Sequence, residues 1–301
     1  EKTWEIDAGI SIMGGWSRVA DKKSVSIKMG EEYQTGGLHY PLFETRKGVN
    51  DKYKAFNLRN NGNRFVSDYF EDALGGAILE GSGVDYQRSR QVVVFYNGKY
   101  YGIHDMRERF NKKYVETNYD IDAGTVNFVK HLNDTVTASS GTPDNYVAML
   151  NFVGSNDMAV ADNYTMAKTL LDVGNLADYM AAQIYVRNGD WPNNNVRAWR
   201  SPDHPWKFMV YDLDNGFGWK GGVNEGEFKG DTKMFSWIKK GGGNKPCKAV
   251  GCFANLYISL IENPDFRRMF INRSAVMFNS STNAKNVDKV RSTMAANLIE
   301  H

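Results

Sequence analysis

Residues 188–218 begin Asn188-Gly189-Asp190-Trp191-Pro192-Asn193-Asn194-Asn195. They pass through a basic and aromatic run and end Lys207-Phe208-Met209-Val210-Tyr211-Asp212-Leu213-Asp214-Asn215-Gly216-Phe217-Gly218. An amide-rich loop thus leads into an apolar run that suits a buried strand at 207–212. Two aspartates close the run and share one side if the chain stays extended. Such a pair is costly to bury unless it is solvated or neutralised, and a divalent cation does that. Asp212 and Asp214 are therefore candidate metal ligands.

Asp190 and Asn195 are the second signal. Taken alone, an Asp-x4-Asn spacing reads as a polar turn, because both residues bond their own backbone. The same spacing occurs in the catalytic loop of protein kinases, where the Asp accepts the hydroxyl proton and the Asn holds a metal ion. Followed by a strand that ends in carboxylates and glycines, it makes Asp190 a candidate catalytic residue and Asn195 a candidate metal ligand.

Composition sets the frame. The chain has 301 residues, 42% of them hydrophobic, enough for a sizeable core in one large domain or two lobes. A net charge of +2 gives no general attraction to nucleic acid or membrane surfaces. No apolar run reaches the roughly 18 residues of a membrane span. The two cysteines, Cys247 and Cys252, share one loop. They suit either a local disulfide in an exported protein or two free thiols. Aromatic residues make up 13%, which fits an aromatic core or carbohydrate-contacting surfaces.

Taken in order, the first part is rich in strands. Residues 25–29 and 55–59 alternate, and Asn97-Gly98 between two β-rich runs predicts a hairpin over 91–103. A helix is expected over 66–80, with Asp68, Glu71 and Asp72 complementing its dipole. After Lys112 the chain reads as mostly helical. Helices are expected at 143–154, at 175–187 with Asn175 as cap, at Asn263-Pro264, and over Val287 to Leu298. Residues 219–246 read as a long loop. The expected fold is α+β, with a strand-rich unit over 1–110 and a helical unit over 111–301.

With these pieces in place, the chain resembles the spore coat protein H (CotH) kinase family, an atypical branch of the protein-kinase-like fold, over roughly residues 14–299. The resemblance rests on Ser17-Arg18 with Lys22-Lys23-Ser24, on Tyr40-Pro41-Leu42-Phe43, and on Phe56-Asn57-Leu58-Arg59. It continues through Asn97 to Gly102 leading to Arg107-Glu108, then Asn188 to Arg200, Tyr211 to Gly218, and Asn263-Pro264-Asp265-Phe266.

That resemblance implies a two-lobed kinase fold and transfer of the ATP γ-phosphoryl group to protein Ser/Thr hydroxyls. Mg²⁺ or Mn²⁺ would be needed, and the setting would be an exported or cell-surface bacterial protein. Asp190 would be the catalytic aspartate, and Asn195 with Asp212, Asp214 or both would hold metal. Lys28 or Arg59 would reach the phosphates, and Arg107-Glu108 would enter the interlobe hinge, where backbone groups meet the adenine. The expected partners are ATP and a protein acceptor, with no nucleic acid, no membrane span and a monomeric chain. Two departures stand out: Asn188-Gly189 replaces the usual His-Arg before the aspartate, and no Gly-x-Gly-x-x-Gly loop occurs near the start.

Two other readings compete. An inactive kinase-like module would use the cleft, or Trp191, Trp199, Trp206 and Trp219, to hold a cell-wall glycan or protein. A glycosyltransferase would use Asp212-Leu213-Asp214 as its metal motif, but the first half lacks the alternating strand–helix units of that fold.

Overall fold

The structure, a computed structural model, describes residues 3–33, 36–43, 50–62, 69–132, 135–217, 234–242 and 251–299. In chain order the strands are β1 (Gly9–Ile12), β2 (Val25–Lys28), β3 (Leu38–His39), β4 (Lys52–Tyr53) and β5 (Ala55–Arg59). The helix α1 (Glu71–Ala77) precedes β6 (Ser89–Tyr96) and β7 (Lys99–Glu108), and α2 (Lys112–Tyr119) follows. Then come β8 (Asn127–Leu132), β9 (Thr135–Ser140), α3 (Asp144–Ser155), α4 (Ala161–Leu170) and α5 (Val173–Val186). The chain continues through β10 (Val196–Ser201), β11 (His204–Met209), α6 (Met234–Lys239), α7 (Ala254–Leu260), α8 (Pro264–Asn279) and α9 (Ala284–Ile299).

The first half builds a five-stranded antiparallel sheet in the order β1-β2-β5-β7-β6. Its β6–β7 hairpin turns on Asn97 and Gly98, both at positive φ, which matches the right-handed twist of the flanking strands. Phe56 and Leu58 of β5 enter an apolar cluster with Val25, Leu42, Phe43 and Met106.

The second half differs from the mostly helical expectation. It holds a four-stranded antiparallel sheet in the order β11-β10-β8-β9. Its strands are short and the β8–β10 pairing joins residues more than 60 positions apart, so no local pattern announces it. This sheet and α3, α5, α7 and α8 share the largest core, which also takes in Ala73, Leu74, Ile78 and Tyr86 from the first half.

The helix α5 is buried along most of its length. Asp172, not Asn175, caps it by accepting from the Asn175 N–H at 2.9 Å. Asn175 instead clamps α5 to β11, accepting from Phe208 N at 2.6 Å and donating to Phe208 O at 3.2 Å. The expected helix over 66–80 is observed as α1; residues 63–68 lie outside the described residues. Within the expected loop at 219–246 the short helix α6 forms; 218–233 and 243–250 lie outside the described residues. Cys252 is disulfide-bonded, while Cys247 and Trp219 lie outside the described residues. Among the described residues no helix is long and apolar enough to cross a membrane.

Candidate active site

The site begins at the C-terminus of α5. Arg187 ends that helix in the left-handed region, φ 54°. The following loop is fixed from below: Trp191 is fully buried and donates from Nε1 to the Tyr179 hydroxyl at 2.9 Å. Asn188, also fully buried, accepts from the Asp190 N–H at 3.1 Å and donates to Gln183 Oε1 at 3.1 Å. Gly189 N donates to Asn215 O at 2.9 Å, which ties this loop to the second acidic segment.

Asp190 and Asn195 meet as their spacing suggests. Asn195 donates to Asp190 Oδ2 at 3.0 Å, and Asn194 donates to the same oxygen at 2.8 Å. Burial pushes the Asp190 carboxyl above the usual range, and the nearby Asp212 charge adds to this, against the two amide donors.

The apolar run does not stay extended to its end. β11 stops at Met209, and Asp212 takes φ 57°. Its two aspartates therefore separate in character. The Asp212 side chain is 25% exposed, and that of Asp214 only 4%. Asp214 sits under Gly62, where an added Cβ would lie 2.2 Å from Asp214 Oδ2 and 2.5 Å from Arg59 Nη2.

The five-stranded sheet supplies the opposite wall. Cross-strand pairing puts Ser26, Asn57 and Arg107 in one row and Arg59 opposite Asp105 in the next, so these polar side chains share one face. Arg59 Nη2 lies 2.8 Å from Asp212, 3.1 Å from Asp72 and 3.7 Å from Asp214. Arg107 lies 2.5 Å from Asp72 and 2.9 Å from Asp105. Burial works against the Arg59 charge, but Asp212, Asp72 and Asp214 outweigh it and hold the guanidinium firmly protonated. Burial likewise opposes ionisation of Asp72, yet Arg107, Arg59 and the Leu213 N–H hold its carboxyl below the usual range. Asp105 goes the other way: burial raises it more than Arg107 lowers it.

Sequence reasoning missed Asp72 and Asp105. Asp72 does lie in the first turn of α1, but it is also buried and bridges two arginines. The available signal was its place beside Ala73 and Leu74 on the apolar stripe. Lys28 shares the polar face of the sheet but pairs with Ala55 at the far end of β5 from Arg59. No bond or ion pair among the described residues brings Lys28 to the acidic cluster. The carboxylate of Glu108 accepts from Arg88 N, Arg88 Nη2 and Asn118. Its backbone N–H donates to Arg88 O and its carbonyl accepts from Gln87. Glu108, Arg109 and Asn111 together line part of a small pocket at this point.

The chain matches the CotH kinase protein family over residues 10–300. It belongs to that family. A comparison with curated proteins finds no match. This CotH-family chain thus joins Asp190, Asn195, Asp212, Asp214, Arg59 and Arg107 in one polar cluster, while Lys28 lies at the far end of the sheet and Glu108 pairs with Arg88. Of the four tryptophans considered as a binding surface, Trp191, Trp199 and Trp206 are fully buried and form core.

The donor set fits a divalent cation of the magnesium class. Asn195 and Asp212 offer hard oxygen ligands, and one edge of Asp212 faces solvent. Among the described residues no group of three or more His, Cys, Asp or Glu side chains is arranged to hold a metal by itself. Oxygens from a phosphate ligand and from water would have to complete the shell, as is usual for Mg²⁺.

Proposed function

We propose that this chain is an ATP-dependent protein phosphotransferase with a two-lobed kinase-like arrangement, residues 1–110 facing residues 111–301. The observation that carries the reading is the joining of the Asp190–Asn195 loop to Asp212, through Asn188 to the Asp212 carbonyl, and of Asp212 through Arg59 to Asp72. Protein kinases need the same parts: a loop Asp, a loop Asn, a strand-end Asp and a strand base paired with a helix acid.

In this scheme Asp190 accepts a hydrogen bond from the acceptor hydroxyl of Ser or Thr and takes its proton. The hydroxyl oxygen forms a bond to the γ-phosphorus, the bond from that phosphorus to the bridging oxygen breaks, and ADP leaves. Burial of Asp190 favours its protonated form and so strengthens it as a base. Asn194 and Asn195 orient the carboxylate. Asn195 and Asp212 would hold Mg²⁺ or Mn²⁺, which neutralises phosphate charge. Arg59, pinned by Asp72, aims a fixed positive charge at the same place. Asp214, covered by Gly62, positions Arg59 and the loop. An exported or cell-surface setting accords with the reading.

The test is a thermal shift with ATP, with and without Mg²⁺ or Mn²⁺, followed by γ-phosphoryl transfer to protein acceptors. ATP at about 100 times its dissociation constant raises stability by about 2.7 kcal/mol. Asp190→Ala is expected to keep that shift and lose transfer. Absence of any metal-dependent shift overturns the proposal.

A further inference from the structure

Beside the acidic cluster the two sheets carry three cations. Arg197 on β10 lies directly opposite Lys130 on β8. Its guanidinium stacks on the Tyr211 ring, 4.5 Å from the centroid, and Nη1 donates to Val196 O at 2.9 Å. Arg109, just past the end of β7, donates to the Ser26 hydroxyl of the same sheet at 3.1 Å, and its neighbour Phe110 packs on the Tyr211 ring, centroids 6.2 Å apart. Partial covering of the Lys130 ammonium, and then the charges of Arg197 and Arg109, hold it below its ordinary range. Among the described residues none of the three forms an ion pair with a carboxylate.

Uncompensated like charges at close range cost free energy, and an anion relieves it. The cations also adjoin the acidic residues along the chain. Tyr211 precedes Asp212, and Arg197 follows Asn195 by two residues, about 7 Å along a strand. An anion held here and a group held at Asp212 lie within the span of a single small ligand. Arg197 is pre-oriented by Tyr211 and keeps donors free beyond the one given to Val196, which suits an oxyanion.

We propose that Arg109, Lys130 and Arg197 form a polyphosphate subsite that takes the non-transferred phosphates of a nucleoside triphosphate. The proposal rests on the phosphotransferase reading. It supplies a part that the sequence lacks, since no glycine-rich loop near the start offers backbone N–H groups to the phosphates. The other source of the same oxyanion chemistry is an acidic stretch on the protein acceptor.

The test is calorimetric titration of the full chain with ATP, tripolyphosphate and adenosine in Mg²⁺. The proteins are wild type, Arg197→Gln, Lys130→Gln, Arg109→Gln and Asp212→Asn. Each cation variant is expected to weaken ATP and tripolyphosphate about tenfold, one charge-assisted contact, and to leave adenosine unchanged. The difference should shrink at high salt. Lys130 is exposed, so Lys130→Gln keeps the test sound if an arginine variant fails to fold.

If wild type binds ATP and Asp212→Asn weakens it while the cation variants match wild type, the subsite is overturned and the phosphotransferase reading stands. The subsite is likewise overturned if those variants bind ATP normally and lose only transfer to acidic acceptors. If wild type binds no nucleotide, both fall.

Discussion

Arg59 places its guanidinium 2.8 Å from the Asp212 carboxylate, across 153 positions of sequence. That contact joins the central strand of the first sheet to the segment leaving β11. Because Arg59 also reaches Asp72 and Asp214, its removal takes a cation from three carboxylates at once, two of them almost wholly buried, and leaves Asp72 with Arg107 alone. Arg59→Ala is expected to destabilise the chain by about 3–5 kcal/mol, the cost of breaking a buried pair. Equilibrium urea unfolding measures this, and an unchanged midpoint would refute it.

Asp212 and Asp214 should separate by phenotype. Asp212 keeps an edge toward solvent, whereas Asp214 is enclosed by Arg59, Asn215 and Gly62. Asp212→Asn is expected to weaken Mg²⁺-dependent ATP binding at least tenfold with little loss of stability. Asp214→Asn is expected to lower stability first. Titration calorimetry beside thermal denaturation decides between them.

Gly62 is a third test. It has φ +59°, and an added Cβ would meet Asp214 and Arg59 at 2.2 and 2.5 Å. Neither neighbour can yield without breaking the ion cluster. Gly62→Ala is expected to cost about 2–3 kcal/mol from backbone strain and overpacking, read from the shift in unfolding midpoint.

The pH profile follows from Asp190. Its carboxyl lies above the ordinary value of 3.8, chiefly through burial. A base must be ionised, so transfer should fall on acidification at a pH higher than an exposed aspartate would give. The sign for stability is the reverse of an ion-paired acid. With the folded value raised, protonation favours the folded state, so this group's contribution is present at low pH and is lost as pH rises from 3.8 through the folded value. A pH–rate profile whose acid limb centres at or below 3.8 would contradict the assignment.

The buried tryptophans make the fifth prediction. Trp191→Ala and Trp206→Ala are each expected to cost about 3–5 kcal/mol as core deletions. Trp191→Ala should also lower transfer, because the indole holds the loop of Asp190 through Tyr179. Unfolding curves measured beside transfer rates separate the two effects.

Much of the first half was legible because its signals are local. The Asn-Gly turn, the alternation at 55–59 and, later in the chain, the Asn263-Pro264 helix start each act within a few residues, and each is found. The second sheet was not legible. β8 and β10 pair across more than 60 residues, and their stability comes from a shared core rather than from propensity. Asn175 shows the same limit. It looks like a helix cap, but its amide is used by β11, which only the packed structure brings alongside.

The sequence by itself determined the chemical inventory of the site. Asp190, Asn195, Asp212 and Asp214 were singled out as candidates by their spacing and by their place in a loop and after an apolar run. Tertiary structure decided how that inventory is used. It turned the chain at Asp212, so that one aspartate faces solvent and the other is buried. It brought Asp72 and Arg107 to Arg59 and left Lys28 at the far end of the sheet. The physical reason is that charge pairing in a low-dielectric interior acts between groups that are near in space, and only the fold sets those distances.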